Sequence, residues 1–226
     1  MTTDATSGVL PDAIYSSLRS AIISQQISPG TSVTESSVAL RYAVARPTAK
    51  TAIERLVAVG LLRREQHRAA RVPRLSRDDI VDLYDSRALV ESAAVGALST
   101  GGTLPAQALA SHRALLADAG ATGEFADHDI AFHRALVAGQ PSPRLARMHE
   151  LLMGEIELCI GQVQAGRLIT AAEVGAQHQG ILDAVTAGDT ALAERLTREH
   201  ITGARDRLLA QYDTRSPESS PAASPE

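Results

Sequence analysis

The chain has 226 residues, with 22 Lys and Arg against 26 Asp and Glu and a net charge of −4. Its single cysteine, Cys159, excludes an internal disulfide framework; with no signal-like start and no long uninterrupted apolar run, a cytoplasmic protein with no membrane partner is expected. The net charge hides an asymmetry: residues 1–75 hold ten basic and five acidic side chains, leaving twelve and twenty-one for the remainder, so attraction to a polyanion belongs to the leading module alone.

Residues 1–10 lack a periodic apolar face and are expected to be disordered. Residues 11–73 read as a winged helix-turn-helix. Val38, Ala39 and Tyr42 repeat apolar character at helical spacing, and Ile53, Leu56, Val57 and Leu61 do so again after a break of a few residues. Pro47 suits the first turn of the second helix, where its missing N–H would have no intrahelical acceptor, and Gly60 suits the position past the end. Two short strands, 61–65 and 69–72, follow with Gln66, His67 and Arg68 turning between them as the wing. Arg46, Thr48, Ala49 and Lys50 fall at the N-terminal end of the second helix, where a major-groove helix places its base-reading side chains. Arg46 could fork onto guanine, Lys50 could reach a guanine edge or a phosphate, and Thr48 a base or the backbone; Arg68 at the wing tip is the fourth DNA-binding candidate. Alone, such residues describe an ordinary solvated helix. The preceding helix, the wing and the local positive charge favour duplex DNA.

A linker at 74–76 follows Pro73, and 77–212 read as an all-α bundle rich in Ala and Leu. Its helices are expected near 77–99, 105–119, 124–138, 143–165, 171–187 and 190–212, with capping arrangements at Ser76/Asp79 and Thr170/Glu173. Residues 213–226, polar and proline-rich, are expected to be a disordered tail. Within the bundle, Asp129 and His133 are four residues apart and share a helix face, while His178 and His200 lie on the last two helices, joined by the turn at Gly188-Asp189. Three imidazoles and a carboxylate could therefore converge on a divalent transition metal: zinc foremost, with nickel, cobalt, manganese or iron also suited to the donor set. Spacing leaves a second account open, because i, i+4 Asp–His pairs also form surface ion pairs.

The chain resembles the GntR-type bacterial transcriptional regulators, in the FadR-like subgroup with the all-helical FCD effector domain. The resemblance runs from about Asp12 to Tyr212. It rests on Ile27-Ser28-Pro29-Gly30-Thr31, on residues 44–56 around Arg46-Pro47-Thr48-Ala49-Lys50, on Gly60-Leu61-Leu62-Arg63-Arg64, on residues 83–91 from Leu83 to Glu91, on Asp129-Ile130-Ala131-Phe132-His133, and on His178 with His200. It implies that Asp129, His133, His178 and His200 are metal ligands and that Arg87, with Glu91 one turn away, faces an effector cavity where its guanidinium takes a small organic acid bidentately. It implies a homodimer on a palindromic operator, in which ligand relieves repression, and a protein that is not an enzyme. Ser36 stands where the family usually has arginine, Pro47-Thr48 inverts the usual order, Ala69 replaces a wing glycine, and Gln140-Pro141-Ser142-Pro143 replaces a frequent Asn-Pro. The alternative is a metal-dependent hydrolase or lyase acting on a small carboxylic acid, but no His-Glu-x-x-His motif supplies a general base, and only Glu155 and Glu157 on a neighbouring helix are at hand.

Overall fold

A computed structural model of the chain describes residues 6–66, 68–119 and 124–215, and its architecture is mainly α. Ile14, Leu18, Ala21 and Ile22 bury one face of a first helix, α1 (Thr6–Ile23). This helix is absent from the elements expected above, although its i, i+4, i+7, i+8 pattern is in the sequence. Residues 6–10 thus belong to a helix rather than to a disordered start; residues 1–5 lie outside the described residues.

Strand β1 (Ser32–Val33) precedes α2 (Glu35–Tyr42), which starts with a capping box in which the Ser37 N–H donates to Thr34 Oγ1 at 3.1 Å. The turn after α2 places Ala43 in the left-handed region at φ 52°, and α3 (Arg46–Ala58) follows with Pro47 in its first turn. Gly60, at φ +82°, reverses the chain after α3, a conformation that glycine adopts without a Cβ clash. The wing is smaller than its sequence suggested. Strand β2 (Ala70–Arg71) pairs antiparallel with β1 through Ser32↔Arg71 and Val33↔Ala70, and the expected strand at 61–65 is reduced to a bridge between Arg63 and Arg71. The upstream segment around Gly30 has taken its place, with Gly30 N–H donating to Val72 O at 2.8 Å. His67, at the expected tip, lies outside the described residues.

The remaining helices are α4 (Arg77–Gly101), α5 (Ala106–Ala119), α6 (Ala126–Gly139), α7 (Pro143–Ala165), α8 (Ala171–Thr186) and α9 (Thr190–Arg215). Helix α4 is central and packs against α6, α7, α8 and α9. Residues 213–215, expected in the tail, extend α9; from 216 onward the chain lies outside the described residues.

Helix α7 joins the bundle to the head. Ile14, Leu18 and Ile53 share one apolar cluster with Met153, Ile156 and Ile160. Two α7 glycines permit backbone contact: a Cβ on Gly154 would sit 2.0 Å from Val59 O, and one on Gly161 would sit 2.1 Å from Ile23 O. Arg63 pairs with Glu155, and Arg19 spans from α1 to Asp127 and Glu157, each at 2.9 Å. Arg134 also reaches Glu157 at 2.9 Å, so two guanidiniums hold one buried carboxylate.

Candidate metal and effector site

Asp129 and His133 project from one face of α6, His178 from α8 and His200 from α9, and one potential ligand atom from each lies within 4.8 Å of the others. All four residues are buried. His178 Nε2 stands 3.1 Å from Asp129 Oδ1, His133 Nε2 3.6 Å, and His200 Nε2 4.0 Å, while the His133 and His200 Nε2 atoms are 3.0 Å apart. Ligands about 2.0–2.2 Å from one ion stand roughly 3.0–3.5 Å apart at right-angled or tetrahedral geometry, so the set fits a divalent metal. The orphaned atoms agree. Among the described residues Asp129 Oδ1 and His178 Nε2 are buried with no aligned hydrogen-bond partner in spite of their proximity, as expected of lone pairs aimed at a common centre.

The ring orientations come from outside the cluster. His133 Nδ1 stands 2.5 Å from Glu91 Oε2, and His200 Nδ1 bonds Gln177 Oε1 at 2.7 Å. His178 stacks on Phe132 with centroids 3.8 Å apart. Burial pushes His178 down to about 4, despite the neighbouring Asp129, and burial with the charges of His178 and His133 holds His200 well below its usual range. Both imidazoles are neutral near pH 7, the state a metal requires. Burial opposes ionisation of Asp129, but His133 and His178 override it and hold its carboxyl well below the usual range. Burial likewise depresses His133, but Glu91 and Asp129 outweigh it and raise this one imidazole. The two carboxylates therefore draw positive charge into the site.

Arg87 is 2 % exposed and donates from Nε to Glu91 Oε1 at 2.8 Å; its terminal Nη2 is buried with no hydrogen-bond partner among the described residues. Its ion pair with Glu91 is internal to the bundle rather than on a helix surface. Tyr84, Arg87, Phe125, Asp129, Ile160 and His200 are among the residues enclosing a cavity of about 20 Å³, enough for roughly one water molecule. A larger hollow of about 810 Å³ lies on the outer side of α6, between Pro105, Ala135 and Glu150, and none of the four candidate ligands lines it.

Among the expected DNA contacts, Arg46 and Lys50 are exposed on the first turns of α3 and Thr48 is half-buried. Ala49 points inward with no exposure and belongs to the core, which corrects its placement among the presented residues. Lys50 pairs loosely with Glu54 at 3.6 Å, and Arg68 with Glu65 at 2.9 Å. Glu155 and Glu157, the carboxylates offered above as a general base, are engaged by Arg63, Arg19 and Arg134. Sequence spacing missed Gln177 and His149: Gln177 adjoins a ligand in sequence but carries no periodic signal, and His149 sits one helix away from its partner Glu91, at 3.0 Å.

A family model described as bacterial regulatory proteins, gntR family, matches residues 10–72, and one for the FCD domain matches residues 82–203. The HTH-type transcriptional repressor GlaR of Escherichia coli (strain K12) is 29% identical over 199 residues, covering 83% of this chain and 90% of the relative. Among solved structures, a transcriptional regulator GntR from Rhodococcus sp. RHA1 aligns with a TM-score of 0.71 at 25% identity over 89% of this chain and 98% of its own. E. coli McbR/YncC aligns with the same score at 21% identity over 90% and 98%, a likeness of fold.

Proposed function

Because the chain belongs to the GntR family of bacterial regulatory proteins and carries an FCD domain, we propose that this DNA-binding transcriptional regulator is a ligand-responsive repressor whose bundle senses a small organic acid. The observation that carries the effector site is the juxtaposition of four convergent metal-type ligands with a buried arginine whose Nη2 has no hydrogen-bond partner among the described residues. A divalent metal held by Asp129, His133, His178 and His200, zinc foremost, would supply open coordination positions for a carboxylate oxygen. Arg87 binds the acid's charge from the other side: its Nε stays on Glu91 while Nη2 donates to the ligand.

The cavity of about 20 Å³ is too small for an organic acid, so binding requires its walls to part. Two of those walls, Ile160 and Val163, belong to α7, which through Gly154 and Gly161 also meets the backbones of Val59 and Ile23 in the head. Enlarging the cavity therefore displaces the element on which the head rests, and the acid favours whichever arrangement admits it. Two chains pair through the apolar side chains exposed on α4 and α7, Leu89, Met148 and Leu151, and present two α3 helices to the half-sites of a palindromic operator. Arg46, Thr48 and Lys50 face the major groove, and Arg68 the backbone beside it.

The direct test is operator titration with metal-free, zinc-loaded, and zinc-plus-carboxylate protein. Steep loss of affinity with rising salt, and weaker binding when a carboxylic acid is present, are the expected results. Indifference to a broad set of carboxylic acids would remove the effector reading; turnover of one of them would favour the enzyme instead.

A further inference from the structure

Glu91 sits deep in α4 with 2 % exposure, and three cationic or proton-bearing groups converge on its two oxygens. Arg87 Nε donates to Oε1 at 2.8 Å, His149 Nε2 meets the same oxygen at 3.0 Å, and His133 Nδ1 faces Oε2 at 2.5 Å. The sequence placed Glu91 with Arg87 as an effector contact. Its oxygens are turned instead toward these three partners, and an acid effector would meet repulsion from a second carboxylate.

Resting on the metal reading above, we infer that Glu91 is a positioning residue for the metal site, acting through His133. An imidazole with one ring proton can place it on either nitrogen, and only a ring protonated on Nδ1 offers the Nε2 lone pair to a metal. His133 Nδ1 stands 2.5 Å from Glu91 Oε2 and has no aligned hydrogen-bond partner among the described residues; with its Nδ1 proton turned onto that carboxylate, Nε2 presents its lone pair toward Asp129, His178 and His200. Gln177 stands behind His200 in the corresponding place through a neutral amide, whereas His178 Nδ1 has no hydrogen-bond partner among the described residues and its ring stacks on Phe132. His133 is therefore the ligand with a carboxylate behind it and the strongest donor of the three. The same carboxylate fixes the direction of Arg87. One side chain thus aims both the metal-facing imidazole and the anion-facing guanidinium, and His149 steadies it from α7.

The alternative is that Glu91 merely balances the charge of Arg87, which predicts no effect on the histidine. Full-length protein with ¹⁵N-labelled histidine, loaded with zinc, distinguishes the two by long-range ¹H–¹⁵N correlation. The expected spectrum shows His133 coordinated through Nε2 with a slowly exchanging Nδ1 proton. Glu91→Gln is expected to weaken zinc affinity about 10- to 100-fold and to speed exchange of that proton. Coordination of His133 through Nδ1 in the wild-type protein, a measurement that needs no variant, would overturn the inference, as would unchanged zinc affinity in a folded Glu91→Gln protein. No zinc uptake by folded wild-type protein would overturn the metal reading as well.

Discussion

Adding one methyl group at Gly154 tests whether the head is rigidly docked on α7. The Cβ of Gly154→Ala would lie 2.0 Å from Val59 O, 2.6 Å from Gly60 C and 2.8 Å from Gly60 Cα. Every one of these atoms is backbone, so no side chain can rotate aside. Val59 N–H is bonded to Arg55 O at 3.1 Å and Gly60 holds a positive φ, which ties the turn to the end of α3. Helix α7 and this turn must separate by roughly 1 Å, an overpacking that costs about 3 kcal/mol at the upper end of the usual range. Replacing a helical glycine by alanine returns about 1 kcal/mol, leaving a net loss near 2 kcal/mol. For a chain of this length that lowers the thermal midpoint by about 4–8 °C. Gly180→Ala in α8 is the matched control: its Cβ would meet only Leu196 Cδ1, at 3.6 Å, an ordinary contact, so the midpoint should rise. Calorimetry of both variants gives the comparison. If Gly154→Ala melts at or above the wild-type temperature, the close approach of α7 to the head is not a feature of the folded protein.

His178→Ala should abolish retention of zinc through dialysis while leaving operator binding measurable, since α8 lies outside the head; metal content by elemental analysis decides, and full retention would remove His178 from the ligand set. Lys50→Ala should lower the magnitude of the log affinity against log salt slope by about 1 if Lys50 meets a phosphate, whereas a loss confined to particular operator sequences would assign it to a base edge. Burial pushes the Cys159 thiol up to about 12, so a thiol reagent at pH 8 should label the native protein far more slowly than the denatured one; equal rates would contradict its burial in α7.

Much of the site was legible because it depends on local spacing. Asp129 and His133 share a face of α6 by helical geometry alone, and the short turn at Gly188 brings α8 and α9 side by side, so spacing offered three helices as carriers of a candidate metal site and the family resemblance singled out the four residues. Helix boundaries in the bundle follow caps that the sequence states outright: Ser76 with Asp79, Thr170 with Glu173, and Pro143 in the first turn of α7. The wing was misread for the opposite reason. Strand pairing is a choice among distant segments, and residues 30–33 competed successfully with 61–65 for the edge of β2.

Patterning along the chain thus determined the helices, the positive head and the identities of the residues that meet in the bundle, since each is set by neighbours within one or two turns. Tertiary packing decided what those residues do to one another. Glu91 is one turn from Arg87 in the sequence, and only the packing of α6 and α7 brings His133 and His149 onto its carboxylate; α7 is an ordinary amphipathic helix until Gly154 and Gly161 let the head's backbone reach it. Contacts between distant helices, such as Glu91 with His149 58 positions away, leave no periodic trace, because they depend on how whole helices cross rather than on how any one of them is wound.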